Sequence, residues 1–307
     1  MAEKPRVTML RYYGIAGPAF EDAVAHFSGP WGLKLVENTG DVAYLAAEGS
    51  PEFYCLRLRR STEKRHDLTA FGADSAAHVD AMAASLKKAD AKFISEPKKL
   101  TSPGGGYGFR VFDLDGHVIE VSSDVERRAF RVLSPRESMP VKLSHVVVTS
   151  PDSRRSVAWY LEHLGLRLSD WIGNMGFMRC TADHHNFAVF QLPPTQLQHT
   201  AWELRGTEEY MRATGRLIKS GAPMWWGPGR HAVGGENTYS FFFDPFGFRS
   251  ELMSDFEQIP LEGGREPLNL PGNSTYDQWG TSKQMAPEQI PPVVKQPQTG
   301  LGEAPPV

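Results

Sequence analysis

Phe112-Asp113-Leu114-Asp115-Gly116-His117-Val118-Ile119-Glu120 and Phe243-Asp244-Pro245-Phe246-Gly247-Phe248-Arg249-Ser250-Glu251 are two versions of one pattern. In each, a strand ends on Phe-Asp, a tight Asp/Gly turn reverses the chain, and a second strand carries a glutamate. Glu120 and Glu251 stand 131 positions apart. Working outward, His66-Asp67-Leu68-Thr69-Ala70-Phe71 aligns with His199-Thr200-Ala201-Trp202-Glu203-Leu204 at a spacing of 133. Arg6-Val7-Thr8-Met9-Leu10-Arg11-Tyr12 aligns with Pro140-Val141-Lys142-Leu143-Ser144-His145-Val146, which sets Arg11 against His145 at a spacing of 134. A register held this closely over so long a stretch is the mark of an internal duplication.

Helix-period segments follow the leading strands, at Phe20 to Phe27 and Ser156 to Leu164, and again at Ala76 to Lys88 and Glu208 to Lys219. Each half therefore holds two strand-helix-strand-strand-strand units. The prediction is an α+β protein of four βαβββ modules, paired so that each half curls a mixed sheet around a cavity. The expected organisation is an N-terminal domain over 1–135, a C-terminal domain over 136–258 and an extended tail over 259–307, with the linker near 125–140, where Pro135 and Pro140 lie. Nine prolines between Pro260 and Pro306 argue against a third packed domain. Tyr276-Asp277-Gln278-Trp279-Gly280 puts two aromatics in this polar tail and reads equally as a segment docked on the body, a lid, or a tail with no role.

The chain has 307 residues, 40% hydrophobic and 22% charged, with 33 basic and 36 acidic side chains and a net charge of −3. Such a balance offers no broad electrostatic surface for nucleic acid or an anionic membrane, and no apolar run approaches a membrane span. No secretory h-region follows Met1-Ala2-Glu3-Lys4-Pro5-Arg6, so the expected location is the cytoplasm. Cys55 and Cys180 lack metal or redox spacing and read as small core residues within apolar strands.

Chemistry concentrates at the repeat-equivalent positions. The C-terminal half offers His145, His199 and Glu251, each on a predicted strand, where the N-terminal half offers Arg11, His66 and Glu120. A lone strand histidine is more often a hydrogen-bonded core residue, and an unpaired carboxylate in an apolar strand is costly. One metal ion accounts for all three C-terminal residues. Two imidazoles and a carboxylate on one inward face leave adjacent positions open, which suits Fe(II), with Mn(II) also acceptable. An arginine cannot ligate, so the N-terminal half is expected to be non-catalytic. Asp183-His184-His185-Asn186 precedes a strand-like run; alternation aims at most one imidazole inward and leaves open which. Gly227-Pro228-Gly229-Arg230-His231 has no P-loop lysine and is followed by a strand, so it reads as the rim of the cavity.

With these residues in place, residues 6–256 resemble the vicinal oxygen chelate superfamily, and within it the two-domain type I extradiol ring-cleavage dioxygenases. The resemblance implies His145, His199 and Glu251 as the metal triad, His185 as the acid/base histidine and His231 as a substrate-binding histidine. One departure stands out. The family's tyrosine ten residues before the glutamate is Phe241 here, and Tyr239, two residues earlier on the same strand face, is the candidate to supply a hydroxyl from a displaced position. The implied reaction is Fe(II)-dependent cleavage of a catechol-type aromatic diol by O2, next to the diol, to a hydroxymuconic semialdehyde. His185 would handle protons, His231 and Tyr239 would hold substrate oxygens, and Trp225 or Trp226 would line the pocket. A homo-oligomer is expected. Two alternatives stand beside this: another metal-dependent enzyme of the superfamily, such as a glyoxalase-like isomerase, and an aromatic-ligand binding protein that lost turnover with its tyrosine.

Overall fold

The computed structural model describes residues 5–134, 136–274 and 276–306. The first half runs β1 (Val7–Gly17), α1 (Phe20–Ser28), β2 (Lys34–Asn38), β3 (Val42–Ala46), β4 (Leu56–Arg60), β5 (Arg65–Ala73), α2 (Ala76–Lys88), β6 (Phe93–Lys99), β7 (Tyr107–Phe112) and β8 (Val118–Ser123). The second half repeats it: β9 (Lys142–Ser150), α3 (Ser153–His163), β10 (Arg167–Ile172), β11 (Met175–Arg179), β12 (Phe187–Gln191), β13 (Leu197–Glu203), α4 (Thr207–Lys219), β14 (Met224–Arg230), β15 (Thr238–Phe243) and β16 (Arg249–Ser254). Two short tail strands follow, β17 (Leu268–Leu270) and β18 (Lys283–Gln284).

The first sheet is ordered β2-β3-β4-β1-β5-β8-β7-β6. The second is ordered β10-β11-β12-β9-β13-β16-β15-β14, with β17 added at one edge and β18 at the other. Strand for strand the two halves have one topology, each with parallel and antiparallel neighbours.

The helices start where the sequence supplies caps. Ser75 accepts from the His78 amide at α2, and Asp152 accepts from the Arg155 amide at α3. On α4 the buried residues Tyr210, Ala213, Thr214 and Leu217 recur at helical spacing, which turns one stripe toward the sheet. One large core joins the helices and the sheet faces of both halves, with Phe71 against Phe187 at 5.6 Å and Tyr13 against Trp202 at 6.1 Å between ring centroids. Each sheet's other face encloses a smaller cluster: Tyr12, Tyr54, Leu68, Ala70, Phe112 and Val118 in the first half, and Val147, Ile172, Phe177 and Ala188 in the second.

The sheet registers correct the sequence alignment. His145 pairs with Ala201, which pairs on its other side with Glu251, while His199 pairs with Val147. In the first half Tyr12 pairs with Ala70, Ala70 with Glu120, and Leu68 with Gly14. The counterparts of His145 and His199 are therefore Tyr12 and Leu68, not Arg11 and His66. Arg11 falls at a bulge between Leu10 and Tyr12 and is tied to Glu52 (2.9 Å) and Ser122 (2.7 Å). His66 pairs with Ile15, the position Leu197 takes against Val148.

Cys55 and Cys180 are buried free thiols, adjoining β4 and β11 rather than inside them. The tail runs over the body. Its β17 pairs with β10 and its β18 with β14, and the Thr299 amide reaches the Lys64 carbonyl of the first half (2.9 Å). Among the described residues no helix is long and apolar enough to cross a membrane.

Candidate metal centre

β9, β13 and β16 are neighbours in the second sheet, and their registers bring His145, His199 and Glu251 to one inner face within two residues of a common level. Ala201, fully buried between them, is small enough to let the larger side chains converge. The His145 and His199 Nε2 atoms lie 3.2 Å apart, and each lies 3.3 to 3.4 Å from Glu251 Oε2. Three donors held at right angles about 2.1 Å from one ion stand about 3.0 Å apart, so this triangle has the size a metal requires.

The surrounding hydrogen bonds favour the same use. Gln198 Oε1 takes the hydrogen of His199 Nδ1, which leaves Nε2 with its lone pair. Asn237 Nδ2 donates to Glu251 Oε1 (3.0 Å) and leaves Oε2 for the triangle. Burial pushes the Glu251 carboxyl above its ordinary range and the His199 imidazole well below its own, so in the absence of a cation neither charged form is comfortable. A proton can bridge only two of these three atoms, whereas a divalent ion satisfies all of them. The residues fit a metal.

The triangle forms part of the wall of a cavity of about 160 Å³. His185, His231, Trp225, Trp226 and Phe241 line it as well. His185 packs against His145 (4.3 Å between centroids), Phe177 and Phe256, and burial holds its ring well below the usual histidine range, hence neutral. His231, stacked on Tyr239 at 4.2 Å, is pushed down to about 3 by burial and is also neutral. Phe241 meets His199 edge-on at 5.2 Å and lies parallel to Trp226.

Among solved structures, the Mn(II)-bound glyoxalase from Novosphingobium aromaticivorans is 38% identical, with a TM-score of 0.90 over 97% of this chain and 98% of that one. The model of the Glyoxalase/Bleomycin resistance protein/Dioxygenase superfamily matches residues 142–252. The chain belongs to this superfamily. Two curated relatives match in sequence. Metapyrocatechase 2 of Cupriavidus necator is 30% identical over 145 residues, a match that spans 46% of this chain and only 45% of that protein. The manganese-dependent 2,3-dihydroxybiphenyl 1,2-dioxygenase of Geobacillus genomosp. 3 is 27% identical over 77% of this chain and 82% of its own length.

Within the superfamily's second half the remaining sequence candidates fall into two groups. His185, His231, Trp225 and Trp226 reach the cavity. Tyr239 does not: its ring packs on His231 and Trp226, and its buried hydroxyl lies on the side of Asp277 and Ser282 of the tail. Tyr239 thus packs against the cavity-lining rings of His231 and Trp226 and is not itself part of the lining.

Position decides between the two adjacent histidines. Both rings precede β12 and both are buried, but His185 lines the cavity and His184 sits behind it, bonded to His185 Nδ1 (2.9 Å) and to Asp170 (2.8 Å). Asn237, Gln198 and Asp170 were not singled out from the sequence. Asp170 carried a signal, a carboxylate in the apolar-flanked run Leu168-Ser169-Asp170-Trp171-Ile172. Gln198 and Asn237 carried none beyond lying near a ligand. Of the tail, Asp277 docks on the β14 edge by accepting from the Arg230 amide (2.9 Å), and among the described residues none of the tail lines the cavity.

Proposed function

We propose that this chain is an extradiol ring-cleavage dioxygenase, holding Fe(II) or Mn(II) on His145, His199 and Glu251 and cleaving an uncharged aromatic diol with O2. The observation that carries this reading is the open donor triangle in the wall of an aromatic cavity of single-ring size. A protein cavity of about 150 Å³ accepts benzene, and this one measures about 160 Å³. Val147, Ile172, Phe177, Phe190, Trp226 and Phe241 make its walls apolar, and among the described residues lining it there is no lysine, arginine or aspartate. A ring bearing a carboxylate would be desolvated without a partner there, so uncharged substituents are favoured; the cavity takes the diol ring itself and is partly open, so an aryl substituent would extend from its mouth.

An ion held by His145, His199 and Glu251 would supply Lewis acidity toward the diol. His185, neutral and at the cavity wall, takes a proton from the diol and later returns it, since a neutral imidazole must accept before it can donate. His231, also lining the cavity, offers a hydrogen bond to a substrate oxygen. Phe241 and the two tryptophans hold the ring plane and exclude water. The name of the 38%-identical structure supports a second reading, a glyoxalase-type reaction at the same metal.

Oxygen consumption separates the two, because the glyoxalase reaction uses none. Anaerobically purified protein loaded with Fe(II) or Mn(II) is expected to take up one O2 per 2,3-dihydroxybiphenyl or catechol, with a yellow product, and to leave 3,4-dihydroxyphenylacetate untouched. Full metal occupancy without oxygen uptake on any diol would sink the dioxygenase reading. Cleavage of the carboxylated diol at a comparable rate would sink the substrate class.

A further inference from the structure

We propose that Asp170 and His184 are positioning residues that fix which ring nitrogen of His185 carries its hydrogen, so that an unprotonated Nε2 faces the cavity. Asp170 is buried on β10 and receives four donors. Arg265 NH1 reaches Oδ1 (2.8 Å) and NH2 reaches Oδ2 (2.9 Å), the Leu268 amide reaches Oδ1 (2.7 Å), and His184 Nε2 reaches Oδ2 (2.8 Å). Burial alone would raise this carboxyl, but the bonds from His184, Arg265 and Leu268 outweigh it and hold it at about 2. Asp170 is therefore an acceptor only.

That assignment propagates. His184 Nε2 must carry a hydrogen, and in the neutral ring Nδ1 is then a lone pair. His185 Nδ1 stands 2.9 Å from that lone pair, a distance at which two lone pairs repel, so His185 Nδ1 carries the hydrogen and Nε2 does not. Asp170 and Glu257 already face two guanidinium groups: Arg265, which also binds both Glu257 oxygens (2.7 and 2.9 Å), and Arg179, bound to Leu168 O and Ser169 Oγ. Asp170, His184 and Glu257 stand close enough together to hold an ion, but the Arg265 guanidinium already bridges the two carboxylates. The cluster acts instead as a chain of fixed hydrogen-bond directions ending at the cavity wall. Phe177 and Phe256, each 4.9 Å from the His185 ring, hold its plane.

The role of this chain in turnover rests on the dioxygenase reading, but the hydrogen positions do not. Metal-free protein labelled with ¹⁵N-histidine is diamagnetic, and long-range ¹⁵N–¹H correlations report the tautomer of each ring. The expected pattern is a hydrogen on Nε2 of His184 and on Nδ1 of His185. His184→Gln keeps a donor toward Asp170 and an acceptor toward His185 and should preserve it; His184→Phe should leave His185 in a mixture of tautomers. Asp170→Asn, which turns an amide hydrogen toward His184, should reverse both rings, just as amidating the buried aspartate of a serine-protease triad gives its histidine the wrong tautomer.

With 2,3-dihydroxybiphenyl and Mn(II)-loaded protein, His184→Phe should lower kcat about 10- to 100-fold with KM nearly unchanged, and His184→Gln should restore most of it. A wild-type His185 bearing its hydrogen on Nε2, or on both nitrogens, would overturn the proposal. So would a tautomer that survives both His184→Phe and Asp170→Asn. If the wild type consumes no oxygen, the dioxygenase reading fails while the spectra still decide this one.

Discussion

Glu251 divides its two oxygens between tasks: one is held by Asn237 and the other completes the donor triangle. Asn237→Ala should leave the fold intact and weaken metal binding about 10- to 100-fold, because the carboxylate then loses its orientation. Titration of the metal-free variant with Mn(II) checks this, and unchanged affinity would remove Asn237 from the site. Phe241 is the other residue whose change is informative. Its ring borders both His199 and the cavity, so Phe241→Tyr adds a hydroxyl beside a bound diol. Turnover of unsubstituted catechol should rise about fivefold, as expected for one new hydrogen bond of about 1 kcal/mol. A fall, measured by oxygen uptake at full metal occupancy, would mean that the wall is packed around phenylalanine. These residues differ in how plainly the sequence announced them. His145, His199 and Glu251 stood out because their types on neighbouring strands make little sense apart. Asn237 and Gln198 each touch a ligand as well as the cavity, and a touch between residues 14 apart on adjoining segments, as for Asn237 and Glu251, has no sequence signature.

The tail strands show how much a proline-rich segment can do without a core of its own. Asp277 accepts from the amides of Arg230 (2.9 Å), Trp279 (3.1 Å) and Ser282 (2.8 Å), which fastens β18 to the β14 edge. Asp277→Ala leaves those donors to water, and hydrogen exchange over residues 277–285 and 226–231 should quicken while β9 and β13 stay protected. Exchange that is unchanged at the β14 edge would show that β18 holds without Asp277. In the first half, burial and the nearby His117 depress His66 to about 3. The folded protein therefore resists a proton that the unfolded chain accepts below about 6.5, so this contribution is intact above pH 6.5 and is lost as pH falls toward 3. His66→Leu, matching Leu197 in the repeat, should flatten the wild-type fall of the unfolding midpoint across that range. A parallel fall in both proteins would contradict it. The same residue marks where pattern reading slips. Composition shows which segments are strands but not their register: both halves carry the same bulge, at Arg11 in β1 and at Ser144 in β9, and only the strand pairing shows that the partners of His145 and His199 lie one and two positions beyond Arg11 and His66.

Across the whole molecule, the core that joins the halves makes them one thermodynamic unit. Trp31 of the first half meets Phe242 of the second at 6.4 Å, and Tyr160 donates to Asp113 across the same junction (2.6 Å). Thermal unfolding followed by tryptophan fluorescence and by circular dichroism should give coincident transitions, and chelation should lower their midpoint together, because an ion that binds only the folded chain stabilises all of it. Separate transitions, or a midpoint indifferent to chelator, would refute that coupling. The architecture was legible from the duplication because strand order follows from module order. The tail's course was not, since short edge strands are decided by which sheet edges lie within reach.

Phe241 faces Glu251 as Arg110 faces Glu120, and Arg110 Nε binds Glu120 at 2.9 Å. Each half thus buries one glutamate side chain at the same spot. The first half neutralises it with a cation written into its own chain; the second must borrow one from solution. A Phe241→Arg exchange would hand the second half that built-in cation, turning an obligate borrower into a self-sufficient scaffold that no longer recruits an ion.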